Sequence, residues 1–354
     1  MRKALQLAER GRGQTSPNPM VGALIVDAEG VIVGTGAHEK AGGPHAEVEA
    51  LLEAGAAARG ATLYCTLEPC SHTGRTGPCA PLVIEAGVAR VVVATEDPNP
   101  LVSGRGLAML RERGVQVTTG VLAAEAVRLN GAFFTVMRHG RPFVTIKIAT
   151  SLDGKVAAHA GARTRLTGPS ADRQVHRDRA EVDAIGVGSG TLLCDDPLLT
   201  ARGAYRGRPL TRVVFDRRLR TPASARIFGT LDAGPVIIIT SPVNADSART
   251  AALRQAGATV EVVDGPDFLA AALRTMAGRE VSSIIVEGGP TLHGAFWNAG
   301  LVDRVQIYVA ARPLGKEGVA WLPFPVMSSP SIVDRTARVL GGDTLLEGYV
   351  HRPD

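Results

Sequence analysis

Apolar residues in this chain fall into two alternating rhythms. Short runs rich in β-branched residues, at 21–26, 31–34, 61–67, 89–94 and 115–118, predict strands. Stretches with apolar residues three and four apart, at 3–10, 45–58, 80–86 and 107–112, predict the helices between them. Glu29 and Gly30 mark a turn that joins the first two strands as a hairpin, and Pro44 stands just ahead of the second helix. After a basic connector at 137–141 the rhythm resumes. Strands are predicted at 142–149, 184–187, 212–215, 236–240, 259–263, 283–286 and 305–309, with helices at 245–255 and 268–276 among those between them. Strands alternating with short helices predict α/β layers in both halves. The second half does not repeat the first, so the chain reads as two unlike domains, 1–141 and 142–354.

Composition narrows the function classes. At 354 residues the chain can bury two cores, and 41 Gly with 22 Pro is too few for a disordered or low-complexity protein. No apolar run nears the roughly 18 residues of a membrane span. The first residues hold no signal-peptide core, so no membrane partner and a cytoplasmic location are expected. Four cysteines are too few for a disulfide scaffold. Lys and Arg number 39 against 34 Asp and Glu, a formal charge of +5 that is spread along the chain. Such a surplus suits phosphorylated small molecules as readily as nucleic acid.

The sharpest chemical signal is His45-Ala46-Glu47, followed by Pro69-Cys70 and Cys79. Zinc deaminases of nucleobases carry H-x-E and P-C-x-x-C, with His and two Cys on the metal and Glu as proton carrier. Here the cysteines are separated by eight residues instead of two. His45 and Glu47 open one predicted helix and Cys79 precedes another, where the positive helix end favours thiolate. Three protein ligands leave a fourth tetrahedral position for water, as catalytic zinc requires. A histidine at a helix start is by itself usually a cap or surface group, and a cysteine usually a small core residue. The joint arrangement is what points to zinc. Cys65, in mid-strand, and Cys194, without a nearby partner, read as structural.

In the second half, strand 283–286 runs into Glu287-Gly288-Gly289-Pro290 and then a helix from about Thr291, a shape that offers backbone N–H groups to phosphate. It is not G-x-G-x-x-G. Gly186-Val-Gly-Ser-Gly190 also lacks that spacing, and Asp195-Asp196-Pro197 stops any long helix after it, which disfavours a Rossmann domain. Either glycine run alone reads as a tight turn. Lys147 alternates with Val144, Ile146 and Ile148, and so reads as part of a solvated strand face.

At these residues the chain resembles the bifunctional riboflavin-biosynthesis deaminase–reductase family. Pro17-Asn18-Pro19 with Val21-Gly22, G-x-P-H-A-E-V at 42–48, T-L-E-P-C-S-H-x-G-R-T-G-P-C at 66–79, D-P-N-P at 97–100 and G-R-G at 104–106 carry the likeness in the first half. K-I-A-T-S-L-D-G-K at 147–155, D-D-P-L-L-T-A-R at 195–202 and V-E-G-G-P-T-L at 286–292 carry it in the second. The resemblance implies an N-terminal cytidine-deaminase-like α/β/α domain and a C-terminal dihydrofolate-reductase-like α/β domain. The first is a zinc hydrolase that deaminates 2,5-diamino-6-(5-phosphoribosylamino)pyrimidin-4-one. The second is an oxidoreductase that uses NADPH to reduce the ribosyl group of 5-amino-6-(5-phosphoribosylamino)uracil to ribityl. His45, Cys70 and Cys79 are then the zinc ligands, Glu47 the proton carrier, Asn18 a pyrimidine contact, and His72 and Arg75 phosphate contacts in an insert over the substrate. In the reductase, the resemblance implies Lys147, Asp195 and Glu287 around the reacting sugar carbon. Arg179, Leu199, Arg202 and Glu287 then contact substrate. Ala149, Arg165, Thr191, Asp195, Gly289, Pro290, Thr291, Leu292, His293, Gly294 and Ala295 contact NADPH. A homo-oligomer, dimer or tetramer, is also implied.

Two departures matter. Where the family often has Trp in a G-x-x-x-W-I-T segment, this chain has Gly161-Ala-Arg-Thr-Arg-Leu-Thr167, which puts Arg163 and Arg165 there. Arg217 stands where the family uses a smaller polar residue, and is expected to hold the 2′-phosphate of NADPH. The rival reading is a zinc deaminase of nucleosides or tRNA with an unrelated second domain. It would need basic and aromatic residues interleaved on a strand-binding surface, and the whole chain has only 8 Phe, 4 Tyr and 2 Trp. No nucleic-acid partner is therefore expected. Intact H-x-E and both cysteines also disfavour a non-catalytic binder of flavin precursors.

Overall fold

The β-branched runs of the first half form β1 (Gly22–Val26), β2 (Ile32–Ala37), β3 (Thr62–Cys65), β4 (Arg90–Val93) and β5 (Gln116–Thr118), side by side in the order β2-β1-β3-β4-β5. β1 is antiparallel to β2 and β3, while β3, β4 and β5 are parallel. Among the described residues, the α-helices beside the sheet are α1 (Arg2–Ala8), α2 (Ala46–Ala54), α3 (Cys79–Glu85), α4 (Arg105–Glu112), α5 (Ala123–Leu129) and α6 (Gly131–His139). This is a computed structural model describing residues 1–71 and 77–350. It divides into two compact units, Met1–Gly140 and a second beginning at Arg141. No helix among the described residues is long and apolar enough to cross a membrane.

α2 rests on β2 with almost nothing between. Ala46, Ala50 and Ala54, four apart, put a stripe of small buried residues along one side of the helix. Gly34 and Gly36 of β2 meet that stripe. A Cβ on Gly36 would lie 2.0 Å from the Ala46 carbonyl oxygen, and one on Gly34 would lie 2.2 Å from that of Ala50. This contact sets where the first turn of α2 projects His45 and Glu47. The loop after β3 is tied down by Glu68, whose carboxylate accepts the backbone N–H of Asp97 (3.2 Å), Gly104 (2.9 Å), Gly106 (2.9 Å) and Leu107 (3.3 Å). The negative charge thus sits at the positive end of α4.

The basic stretch at 137–141 is not a connector from its start. Residues 137–139 complete α6, which ends at Gly140 with φ +62°, its N–H donating to the Val136 carbonyl at 2.9 Å. Phe133 and Phe134 bury the apolar side of α6, and Arg138 and His139 suit its negative end.

In the second unit, the main sheet runs β11-β10-β9-β8-β12-β6-β13-β16-β15. Its strands are β6 (Phe143–Thr150), β8 (Ala184–Gly188), β9 (Thr211–Phe215), β10 (Val236–Thr240), β11 (Ala258–Val262), β12 (Ser283–Val286), β13 (Arg304–Ala310), β15 (Val333–Leu340) and β16 (Asp343–Tyr349). Neighbours from β11 through β13 are parallel, whereas β13, β16 and β15 are antiparallel. β7 (Lys155–Ala157) and β14 (Val319–Ala320) pair as a separate ribbon. Helices α7 (Pro169–Glu181), α8 (Ser189–Asp195), α9 (Ala248–Gln255), α10 (Phe268–Ala277) and α11 (Pro290–Asn298) lie between the strands in sequence. Val144, Ile146, Ile237, Ile239, Ile284, Val286 and Phe296 anchor the largest core cluster.

Gly36→Ala is expected to force the first turn of α2 off β2, costing about 2 kcal/mol of stability in the first unit and weakening metal retention. Denaturant unfolding with metal analysis of the purified variant tests this; wild-type values in both would refute the contact's role.

Candidate functional site

The N-terminus of α2, the loop after β3 and the first residue of α3 converge in the first unit. His45 Nδ1 lies 3.2 Å from Cys79 Sγ and 3.5 Å from Cys70 Sγ, and the three donor atoms all fall within 4.8 Å of one another. The Cys79 backbone N–H donates to Cys70 Sγ at 3.2 Å. Hydrogen bonds from the Cys79 thiol, from His45 and from that N–H pull the Cys70 thiol down to about 4, against the effect of burial. The same hydrogen bond between the two sulfurs, with burial, pushes the Cys79 thiol up. One thiolate and one thiol sharing a proton beside an imidazole is a donor set that a divalent cation would complete by displacing that proton. Nitrogen and two sulfurs at this spacing fit zinc.

Glu47 is 3% exposed. Burial and the nearby Cys70 push its carboxyl up to about 7, with His45 opposing. A carboxyl poised there can take and return a proton near neutral pH. A pocket of about 280 Å³ opens beside it, lined by Asn18, His38, Glu68, Asp97, Asn99 and Phe133 among others. Asn130 steadies one wall: its amide accepts from Met20 N at 2.7 Å and donates to Met20 O at 2.9 Å. His38 Nδ1 meets the Pro44 carbonyl at 2.8 Å, so that nitrogen carries the proton and Nε2 accepts from the Asn18 amide at 3.2 Å. Burial pushes Asp97 up to about 6. His38 and Asn130 escaped the sequence reading, because neither belongs to a ligand-spaced motif; Asp97 and Asn99 lay within the matching D-P-N-P. His72 and Arg75 lie outside the described residues.

The second unit holds a larger cleft of about 1960 Å³ at the carboxyl ends of its parallel strands, where ligands of open α/β sheets bind. Its wall carries a buried charge trio. Arg179 of α7 grips Glu287 through Nε at 2.7 Å and Nη2 at 2.8 Å, and Lys147 Nζ of β6 stands 3.5 Å from the same carboxylate. Burial alone would raise the Glu287 carboxyl, but Arg179 and Lys147 hold it at about 2. The Lys147 side chain is 15% exposed, with its ammonium 5.3 Å above the Tyr308 ring. The expected solvated strand face is thus covered, by α7 and by β13. Asp195 lines the same cleft from the end of α8.

Ala149, Arg165, Thr191, Arg217, Gly289, Pro290, Thr291, Leu292 and Ala295 all line this cleft, as do Arg163, Arg179 and Arg202. Three expected contacts face elsewhere. Leu199 is 3% exposed and packs in the core with Ile185 and Leu192. His293 is wholly buried behind the cleft wall, with Trp321 Nε1 donating to its Nδ1 at 3.0 Å. Gly294, next along α11, packs toward Leu322. The helical period turns Thr291 and Ala295 to the cleft and His293 and Phe296 to the core. Arg218, Arg220, His176 and Phe268 also line the cleft and were not singled out from sequence; Arg220 reaches Ser189 Oγ at 2.8 Å.

A deaminase-type metal triad in one unit and a charged cleft over a parallel sheet in the other define a two-headed enzyme of the deaminase–reductase class. Residues 1–95 match the family model for the cytidine and deoxycytidylate deaminase zinc-binding region, and residues 142–345 match that of the RibD C-terminal domain. The chain belongs to the RibD family, the bifunctional deaminase–reductases of riboflavin biosynthesis, with a cytidine-deaminase-like first domain and a dihydrofolate-reductase-like second. It is 43% identical to riboflavin biosynthesis protein RibD of Aquifex aeolicus, over 89% of this chain and 87% of that one. Against RibD of Escherichia coli it is 42% identical over 98% and 97%. The solved structure of Acinetobacter baumannii RibD superposes with a TM-score of 0.87 at 36% identity, covering 98% of this chain and 97% of the other. The Thermotoga maritima diaminohydroxyphosphoribosylaminopyrimidine deaminase/5-amino-6-(5-phosphoribosylamino)uracil reductase does so at 0.84 and 34%, covering 99% and 97%.

The buried groups of the cleft wall predict how acid acts on the second unit. Burial holds His293 down to about 4, whereas an unfolded histidine titrates near 6.5. As pH falls through that interval the unfolded chain binds the proton and the folded chain does not. Stability therefore drops, by up to about 3 kcal/mol. Glu287 acts in the next window: its stabilisation is complete above the model-peptide value of 4.5 and is lost as pH falls toward 2. Urea midpoints measured from pH 7 to pH 3 should show both losses, and His293→Gln should abolish only the first.

Proposed function

We propose that the first unit hydrolyses the ring amino group of 2,5-diamino-6-(5-phosphoribosylamino)pyrimidin-4-one, and that the second reduces the ribosyl group of the resulting 5-amino-6-(5-phosphoribosylamino)uracil to ribityl with NADPH. The observation that carries the first step is the meeting of one imidazole and two sulfurs within 4.8 Å, beside a buried carboxyl raised to about 7. His45, Cys70 and Cys79 would hold zinc, which when bound supplies a water activated for attack on an electrophilic carbon. Glu47 takes one proton from that water and delivers it to the ring nitrogen, then passes the remaining hydroxyl proton to the departing amine. Water is consumed, ammonia leaves and an oxo group remains. Asn18, fixed through His38, orients the pyrimidine, and His72 with Arg75 receive the ribose phosphate.

In the second unit, NADPH when bound supplies a hydride. Lys147, held beside Glu287, polarises the ring-opened sugar and delivers the proton that balances hydride arrival at its first carbon. Asp195 completes the polar group there, and Arg202 meets the sugar phosphate. Arg217 stands at the other end of the cleft, with its guanidinium 5.9 Å above the Phe268 ring. β9, which leads to it, is three strands from β6, or about 14 Å at usual strand spacing. That separation suits an extended dinucleotide with its nicotinamide by Lys147 and its 2′-phosphate on Arg217.

Two variants test the halves separately. Glu47→Gln is expected to lower ammonia release by about 1000-fold, with zinc content intact and the supplied aminouracil ribotide still reduced. Retained ammonia release would remove the proton-carrier role. Arg217→Ala is expected to raise KM for NADPH by about tenfold and barely alter that for NADH; equal loss with both would refute phosphate recognition.

A further inference from the structure

We propose that His293 and Trp321 form a strut that fixes the turn between β12 and α11, making Trp321 a positioning residue for cofactor affinity. The inference rests on the reading that the second unit takes a nicotinamide dinucleotide in its cleft. Glu287, Gly288 and Gly289 of that turn line the cleft, and the strut stands directly behind them.

His293 is wholly buried and uses both ring nitrogens. An indole N–H can only donate, so His293 Nδ1, 3.0 Å from Trp321 Nε1, carries no proton. The proton is therefore on Nε2, which stands against the turn itself, 2.9 Å from the carbonyl of Val286, the last residue of β12, and 3.1 Å from Gly288 N; it donates to the carbonyl and offers the Gly288 N–H no acceptor. Each bond runs in one direction only, and the imidazole cannot flip without losing both. The rings meet edge to face, 6.0 Å apart at 83°.

A second contact holds the same helix from its other side. Leu292 fills the space beside Gly288, where an added Cβ would come within 2.8 Å of Leu292 Cδ2. Rotation of α11 about its axis is blocked by Leu292 on one flank and by the two His293 bonds on the other. The orientation of the N–H groups at the start of α11, which would face a phosphate, is thereby set before any ligand arrives.

The strut also joins two walls. Trp321 directly follows β14, whose Val319 and Ala320 line the cleft from the ribbon side. Its bond to His293 fixes the separation between that ribbon and the phosphate turn. Glu287 keeps its own restraints from Arg179 and Lys147, so loosening the strut should weaken cofactor binding more than the chemical step.

Trp321→Phe in the full chain keeps a ring in the core and removes the N–H. With NADPH and the aminouracil ribotide, KM for NADPH is expected to rise five- to tenfold, while kcat and KM for the ribotide change less than twofold. Ammonia release by the first unit, measured on the same preparation, should be unchanged. Adding Trp321→Phe to a His293→Gln chain should cost no more than twofold further, because the strut is already broken. An unchanged KM for NADPH in a folded Trp321→Phe protein would overturn the proposal, and so would equal losses in kcat and both KM values with a lowered melting temperature. Failure of the unaltered chain to oxidise NADPH would instead overturn the cofactor reading, and the strut's role with it.

Discussion

Close approach to a glycine that has no Cβ is the constraint on which both sites depend. α2 lies against β2 because Gly36 has no Cβ to hold the Ala46 carbonyl away. α4 lies against the loop that carries Cys70 because a Cβ on Gly106 would fall 2.0 Å from the Pro69 carbonyl oxygen. In the second unit, α11 closes on Gly288 through the Leu292 side chain, which fills the space a Cβ would take. A helix held this closely has little freedom to shift, so the side chains of its first turn inherit the rigidity of the sheet. Reactive groups placed like this need little ordering when substrate arrives.

On that rigid frame, burial drives two glutamates in opposite directions. Glu47 and Glu287 are both shielded from water, and desolvation pushes the carboxyl of each upward. Around Glu47 the nearby Cys70 reinforces the push, and His45, a backbone hydrogen bond and the Cys79 side chain oppose it only in part, so the group settles near neutrality and can exchange a proton. Around Glu287 a bidentate guanidinium and an ammonium overwhelm it, and the group stays charged at any ordinary pH. The first is suited to carry protons. The second is suited to hold cations in place, above all the Lys147 ammonium, without itself exchanging a proton during turnover. The difference comes from the neighbours, supplied by the loop after β3 and the start of α2 around Glu47 and by α7 and β6 around Glu287, not from the residue type.

Much of this was legible in the chain, for identifiable reasons. Strands buried on both faces are nearly continuous β-branched runs, so β10 is found to the residue at 236–240. His45, Cys70 and Cys79 stood out because metal-binding residue types are rare and recur at recognisable spacings. The helical period is obscured in α6 by its polar last turn and in α7 by polar residues along its whole length, and β15 gives little strand signal because its residues are mostly exposed. Glu68 lies in the matching stretch at 66–79 and Asn130 in no motif, and neither role has a local signature: their hydrogen-bond partners lie 29 to 39 and 110 residues away in sequence. His293 illustrates the limit of a motif. Position in a glycine-rich stretch says that a segment lies near a ligand, but not which way each side chain points. The helical period could have settled it, since His293 stands three residues before the buried Phe296 and so on the same side of the helix.

The surplus of positive charge also finds its explanation in the cleft. From composition alone, a pI near 9.3 is compatible with a nucleic-acid surface. Yet Lys147 and seven arginines line the cleft of the second unit, against the carboxylates of Asp172, Asp195, Asp267 and Glu287. An excess of cations inside one concave site exceeds what exposed, salt-screened charges would achieve at the same number, because low-dielectric walls focus the field. A concave site with that surplus suits ligands that carry phosphate groups. Arg163 and Arg165 belong to this account: where the family often places an indole, the chain adds two further cations at the cleft. Arg165 pairs with Asp172 at 2.8 Å, so the segment holds charge where a ring would stack.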